Sequence, residues 1–109
     1  MKKQAVWLSY DLGVKGDYSG LYKFLDANEA KECGNSVAYF QFNYKDDLAK
    51  ELTEVLKENI EIKNSDRVYL MFKYLKDGKD MMAGRFIIGN RKASPWKGYG
   101  PSDEDNLDT

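Results

Sequence analysis

The sequence predicts an α+β domain in which one mainly antiparallel sheet carries two helices on one face. Three observations predict it. Four short, largely apolar segments are of strand length, and the first of them divides its residues between two faces. Two other segments carry apolar residues at helical spacing. The last two strand segments are separated by Asp77-Gly78, a dipeptide typical of tight hairpin turns.

The first strand is predicted over residues 5–12. Its residues alternate between two faces, with Val6, Leu8, Tyr10 and Leu12 on one and Ala5, Trp7, Ser9 and Asp11 on the other. A glycine-containing loop follows it. Asp17 or Ser19 is placed to cap the next helix, and Gly34-Asn35 is placed to end that helix with a left-handed residue. We interpret Asp17 as a helix cap rather than a metal ligand.

The remaining strands are predicted over residues 36–42, 67–75 and 81–89. Asp46-Asp47 caps a second helix, whose apolar stripe runs from Leu48 to Ile60. From Asn90 the chain is rich in Gly, Pro and charge, which predicts irregular structure. A ferredoxin-like sandwich of the βαββαβ type, with an extra C-terminal hairpin and tail, fits these elements best.

The length of 109 residues suits one domain, which we assign to residues 1–100. Residues 101–109 are predicted to form an acidic, flexible tail. The net charge is −1, but four acids lie in the last seven residues, so the rest of the chain carries +3. A mildly basic body of this kind is compatible with nucleic-acid binding without requiring it.

Two residue counts exclude several classes of site. The chain has one cysteine, Cys33, so it forms no internal disulfide and no zinc site built on paired cysteines. It has no histidine, which excludes histidine-based triads and imidazole metal sites. The apolar run after Met1 is too short for a signal peptide, and no run is long enough to span a membrane. We therefore expect a cytoplasmic protein without a membrane partner.

The sheet face away from the helices is predicted to be apolar. Its candidate residues are Trp7, Phe40, Phe42, Tyr69, Met71 and Ile87. Because a solvated sheet face is usually more polar, an exposed apolar face of this size indicates a partner. We expect a homodimer formed through sheet faces or edges, with Trp7, Phe40, Tyr69, Met71 and Ile87 in the interface. In the alternative, the C-terminal segment with Trp96 and Tyr99 folds back over this face.

Several short stretches resemble a known superfamily. They are SYDL at 9–12, GDYSGLYKFL at 16–25, SVAYFQF at 36–42, SDRVYLM at 65–71 and WKGYG at 96–100. Together they span most of the chain. They resemble the ferredoxin-like superfamily of the CRISPR-associated small endonuclease and the VapD toxins, and most closely its SinR-like members.

The resemblance implies a role for Asp11, which closes the first strand. In the nuclease family this aspartate and its symmetry mate bind a divalent metal at the dimer interface, so Asp11 would be both catalytic and a ligand of Mg²⁺ or Mn²⁺. The sequence lacks the clustered arginines that often follow this strand, and a hairpin at Lys76–Ile88 is inserted or extended. In the structural alternative, Asp11 starts a turn and accepts hydrogen bonds from the Gly13–Gly16 loop.

Two functions therefore stay open besides a purely structural dimer. One is a dimeric module that binds nucleic acid or a partner in a defence or toxin–antitoxin context, for which the sequence identifies no cofactor. The other is a metal-dependent RNA or DNA endonuclease that uses Asp11 from both protomers. The candidate nucleic-acid contacts are Lys15, Arg85, Arg91, Lys92 and Trp96, as phosphate-binding cations and a stacking ring. Scattered lysines of this kind are also typical of an ordinary solvated surface.

Overall fold

The computed structural model describes residues 1–101 as one five-stranded antiparallel sheet with two helices. In chain order the elements are β1 (Lys2–Asp11), α1 (Tyr18–Ala27), β2 (Lys31–Glu32), β3 (Val37–Tyr44), α2 (Leu48–Asn59), β4 (Arg67–Lys76) and β5 (Lys79–Ile88). The strand order across the sheet is β2-β3-β1-β4-β5. The α+β prediction is confirmed, and the architecture is compatible with the ferredoxin-like class. The rest of the acidic tail, residues 102–109, lies outside the described residues.

The core lies between the helices and one face of the sheet, with β1 at its centre. Val6 and Leu8 of β1 are fully buried, and so are Leu52 and Leu56 of α2. Burial of each such side chain stabilises the fold by roughly 1.5–3 kcal/mol. The predicted alternation of β1 is confirmed, because its other side chains, including Trp7, keep part of their surface exposed.

The predicted phase of β3 is wrong. Phe40 is only 2% exposed, and Phe42 is also buried, so neither lies on the face away from the helices. Phe40 lies opposite Val6 of β1. It also meets Phe24 of α1 edge-on, with 5.7 Å between ring centroids. The contact with α1 explains the error, because strand alternation alone does not say which of the two faces the helices cover.

Both helices begin at the predicted caps. The Asp17 carboxylate accepts hydrogen bonds from the Glu61 backbone N–H at 3.0 Å and from the Gly20 N–H at 2.9 Å, which lowers the pKa of Asp17. It therefore links the start of α1 to the chain that leaves α2. Asp47 caps α2 by accepting from the Lys50 N–H at 3.1 Å.

Helix α1 ends earlier than predicted, at Ala27 rather than near Gly34-Asn35. The Asn28 side chain donates a hydrogen bond to the Phe24 carbonyl at 2.8 Å, and Glu29 has a left-handed φ of 53°. The chain then forms the two-residue strand β2, which the sequence pattern did not predict. Gly34, with φ of 103°, belongs to the turn between β2 and β3.

Strands β4 and β5 form the predicted hairpin, but with an irregularity. Asp77 and Gly78 both have positive φ, 52° and 78°, as a type I′ turn requires. A β-bulge interrupts the register, because Val68 pairs with Ile88 whereas the next residue, Tyr69, pairs with Phe86. Between the bulge and the hairpin turn, each β5 side chain therefore lies on the face opposite to the one that simple alternation from Ile88 would give it. Within residues 1–101, neither helix is long and apolar enough to cross a membrane.

Candidate nucleic-acid interface

The face of the sheet opposite the helices, here called the open face, brings together side chains from four strands. Strand register places them on one side. They are Trp7, Ser9 and Asp11 of β1, Val37 and Tyr39 of β3, Arg67, Tyr69 and Met71 of β4, and Phe86 of β5. The aromatic members are only half-buried, so parts of their rings contact solvent.

Two aromatic pairs lie on this face. Trp7 and Tyr39 are cross-strand neighbours with ring centroids 5.1 Å apart and planes at 50°. Tyr69 and Phe86 form the second pair, at 4.8 Å and 75°. Such tilted and edge-to-face pairs are favourable arrangements that fix ring orientation. The open face therefore presents two preformed aromatic platforms.

A glycine makes room for the second platform. Gly84 lies diagonally across from Tyr69, and a Cβ at this position would sit 2.5 Å from the Tyr69 hydroxyl and 2.8 Å from its ring. The Tyr69 ring therefore lies directly over the Gly84 backbone. Any larger residue at 84 would displace the ring, which links a backbone position on β5 to the orientation of Tyr69.

Two arginines surround the second platform. The Arg91 guanidinium lies over Phe86 at 5.4 Å and over Tyr69 at 5.7 Å from the ring centroids. The Arg67 guanidinium lies 5.9 Å from the Phe86 centroid. These are cation–π distances. With Ser9, Asp11 and Met71, the four residues line a depression of about 380 Å³.

The Asp11 carboxylate accepts a hydrogen bond from the Arg67 guanidinium at 2.7 Å. The structural alternative expected Asp11 to accept hydrogen bonds from the Gly13–Gly16 loop, but its partner is Arg67. Asp66 does so instead, because its buried carboxylate accepts from the Gly13 and Lys63 backbone N–H groups at 2.9 and 2.8 Å. The strand-end position of Asp11 is as predicted, but the partner that it contacts is 56 residues away.

The residues around Asp11 do not fit a divalent metal in a single chain. Residues 1–101 contain no group of three or more Asp, Glu, Cys or His side chains that could hold a metal ion. The depression offers one carboxylate, and the Arg67 guanidinium already neutralises it. A hard cation prefers several oxygen ligands, and a bound arginine opposes its approach. We therefore derive no catalytic step through a metal.

Of the predicted nucleic-acid contacts, only Arg91 lies in this depression. Arg85 pairs with Leu70, so its side chain is on the helix side, because the bulge reversed the β5 phase. Lys15 lies in the β1–α1 loop, where its carbonyl accepts from the Lys63 ammonium at 2.6 Å. Lys92 is an exposed neighbour of Arg91.

Trp96 does not cover the open face. Its side chain is 73% exposed, and Tyr99 is 88% exposed. The described part of the C-terminal segment, up to Pro101, therefore leaves the aromatic platforms accessible. Its beginning, at Arg91, packs against the Tyr69–Phe86 platform.

Three of the five predicted dimer residues, Trp7, Tyr69 and Met71, lie on the open face. Phe40 belongs to the core, and Ile87 packs against the core cluster beside the bulge. The face assignment of these two residues is corrected here. Whether the other three contact a second copy stays a prediction.

Sequence analysis missed three residues that build the face: Tyr39, Arg67 and Phe86. Trp7 was assigned correctly, and its register with Tyr39 would have placed Tyr39 beside it. Phe86 had no such signal, because its phase depends on the bulge. Arg67 comes directly after Asp66, at the start of the predicted third strand. Nothing in this local sequence indicates that Arg67 pairs with Asp11.

Comparisons of the chain with protein-family models, curated proteins and solved structures find no match. What the open face can do is therefore inferred from its own geometry.

Proposed function

We propose that this protein binds nucleic acid through the open face of its sheet. The observation that supports this most directly is the position of Arg91 over the Tyr69–Phe86 platform, at 5.7 and 5.4 Å. A cation beside half-buried aromatic rings matches the two chemical parts of nucleic acid, because guanidinium binds phosphate and aromatic rings stack on bases.

The charges around the platforms favour a polyanion. Arg67 and Arg91 lie at the Phe86 end of the face. Beyond its other end, Lys31 of the edge strand β2 pairs with Tyr39. The carboxylate of Asp11 offsets only one of these cations. A face with cations at both ends and aromatic rings between them is typical of nucleic-acid contact rather than of a hydrophobic core that is exposed by accident.

A second copy of the chain is the other candidate partner. Face-to-face packing would bury the Arg67 and Arg91 guanidinium groups of each copy, and burying a charge is costly unless an opposite charge pairs with it. We propose that a homodimer forms instead at β5, which within residues 1–101 pairs only with β4. The exposed Met81 and Met82 lie on this edge strand.

We also propose the finer fold assignment. The order β2-β3-β1-β4 with antiparallel neighbours is the arrangement of a split βαββαβ unit, and β5 extends it at one edge. From the quoted motifs we propose kinship with the superfamily of the CRISPR-associated endonuclease, VapD and SinR-like proteins. We also propose that the protein is cytoplasmic and acts in a defence or toxin–antitoxin context. The endonuclease alternative needs Asp11 to release Arg67 before it binds a metal.

Fluorescence anisotropy with labelled RNA and DNA at two salt concentrations tests the proposal. We expect binding that weakens as salt rises, because phosphate contacts release counterions. Arg91→Ala should weaken it. Arg85→Ala is the matched control, since it removes the same charge from the opposite side of the sheet. Absence of salt-sensitive binding, or equal losses in the two variants, would refute the proposal.

A further inference from the structure

We infer that the ligand of the open face is a single strand, with one base stacked on Trp7–Tyr39 and another on Tyr69–Phe86. This inference rests on the proposed function and names its substrate class. It comes from the spacing of the two platforms and from the shape of the surface that carries them.

The two platforms are too far apart for neighbouring stacked bases. The first lies between β3 and β1 and the second between β4 and β5, so they are two strand spacings apart. Because Ser9, not Trp7, is the partner of Tyr69, they are also offset by two residues along β1. With about 4.8 Å between strands and 3.4 Å per residue, the separation is roughly 12 Å. The rise between stacked neighbours in a duplex strand is about 3.4 Å.

A strand that reaches both platforms must therefore have its bases separated from each other. A single strand can do this, because its bases are free to turn outwards and stack on protein rings. In a duplex the bases are stacked inside the helix, and a protein reaches only their edges through the grooves. A sheet of five strands is too broad to enter such a groove, so the half-buried rings would not meet the bases of a duplex.

The space between the platforms is suited to a flexible strand. Met71 lies next to Trp7 and Ser9 lies next to Tyr69, so one flexible apolar side chain and one small side chain separate the platforms. Arg67 and Arg91 at one end and Lys31 at the other are placed to contact the phosphates that flank the two bases. Two or three such contacts predict a slope of log K against log salt between roughly −1.4 and −2 for a single strand.

One tryptophan gives a direct readout of stacking. The chain has two tryptophans, and Trp96 lies outside the open face with its side chain 73% exposed. In a Trp96→Phe variant, Trp7 is the only indole, and a base stacked on it should quench its fluorescence. The measurement uses fifteen-residue oligomers of thymidine and of uridine, titrated beside a DNA duplex of the same length.

Two kinds of variant test the platforms separately. Tyr39→Leu and Phe86→Leu keep an apolar side chain but remove a ring, and each should weaken single-strand binding between about fivefold and 150-fold. Gly84→Ala removes no ring and no charge, but it displaces Tyr69, whose hydroxyl lies 2.5 Å from the new Cβ. It should weaken single-strand binding while duplex binding stays the same. Urea unfolding of each variant verifies that it is folded.

The outcomes separate this inference from the proposed function. Tighter binding of single strands than of duplex, by at least about tenfold, with quenching of Trp7, supports both. Equal binding of duplex without quenching overturns the single-strand inference and leaves nucleic-acid binding in place. Single-strand preference without quenching overturns the Trp7–Tyr39 platform. Failure of every oligomer to bind refutes the proposed function itself. The thymidine and uridine arms show whether the strand is DNA or RNA.

Discussion

The Asp11–Arg67 ion pair gives the sharpest test, because the two functional hypotheses predict opposite results for the same substitution. In the nucleic-acid-binding proposal, the Asp11 carboxylate holds the Arg67 guanidinium at 2.7 Å and partly neutralises it. Asp11→Asn keeps the shape of the side chain, removes its charge and leaves Arg67 free for a phosphate. Binding of nucleic acid should therefore become tighter. In the endonuclease hypothesis the same change removes the metal ligand.

The size of the effect follows from exposure. A phosphate bound to the far side of the Arg67 guanidinium would lie about 6 Å from the Asp11 carboxylate, where two unit charges in water repel by about 0.7 kcal/mol. The dielectric constant of water applies because the Asp11 side chain is 64% exposed. This corresponds to roughly threefold tighter binding, and one added phosphate contact should steepen the salt dependence by about 0.7. Loss of an exposed ion pair should cost at most about 1 kcal/mol of stability.

The assay is anisotropy with a labelled single strand across a salt series, together with a cleavage assay in Mg²⁺ and Mn²⁺. Asp26→Asn is the matched control, since it makes the same change in net charge on the exposed surface of α1. We expect the stronger salt dependence in Asp11→Asn alone. Equal gains in both variants would show that only net charge matters. Weaker binding, or metal-dependent cleavage that Asp11→Asn abolishes, would contradict the reasoning and favour the endonuclease.

Three further predictions concern the fold, its acid stability and the tail. Phe40→Ala should lower the free energy of unfolding in urea by roughly 3–5 kcal/mol, because Phe40 is 2% exposed in the core, and a cost below about 1 kcal/mol would contradict that placement. Backbone N–H groups of Lys45, Asp46 and Asp47 donate hydrogen bonds to the Glu51 carboxylate and lower its pKa. The stability that Glu51 adds to the fold is therefore complete above the usual pKa of about 4.3 and is lost as pH falls through the lower pKa of the folded state. Glu51→Gln should thus destabilise at pH 7 and reduce the loss of stability on acidification, and urea midpoints from pH 7 to 3 that are parallel to wild type would refute this. Removal of residues 102–109 takes the net charge from −1 to +3 and should tighten nucleic-acid binding at low salt, whereas an unchanged anisotropy titration would show that the tail does not oppose the polyanion.

Local signals in the sequence were read correctly where their physical cause is local. Asp17 caps α1 because a carboxylate there satisfies free N–H groups of the first turn. Asp77-Gly78 forms the hairpin turn because these residues tolerate positive φ. The end of α1 was misplaced because Asn28 ends the helix with its own side chain, seven residues before Asn35 of the predicted stop.

The sequence alone determined the class of fold, the two caps, the hairpin and the alternation of β1 that puts Asp11 in one row with Trp7 and Ser9. The tertiary structure decided which alternate face of each later strand the helices cover, so Phe40 went to the core and Tyr39 to the surface. It also decided the bulge that moved Phe86 beside Tyr69 and Arg85 away from it. The reason is that an alternating strand has two equivalent phases until a helix packs on one of them, and that choice depends on residues far away in the chain.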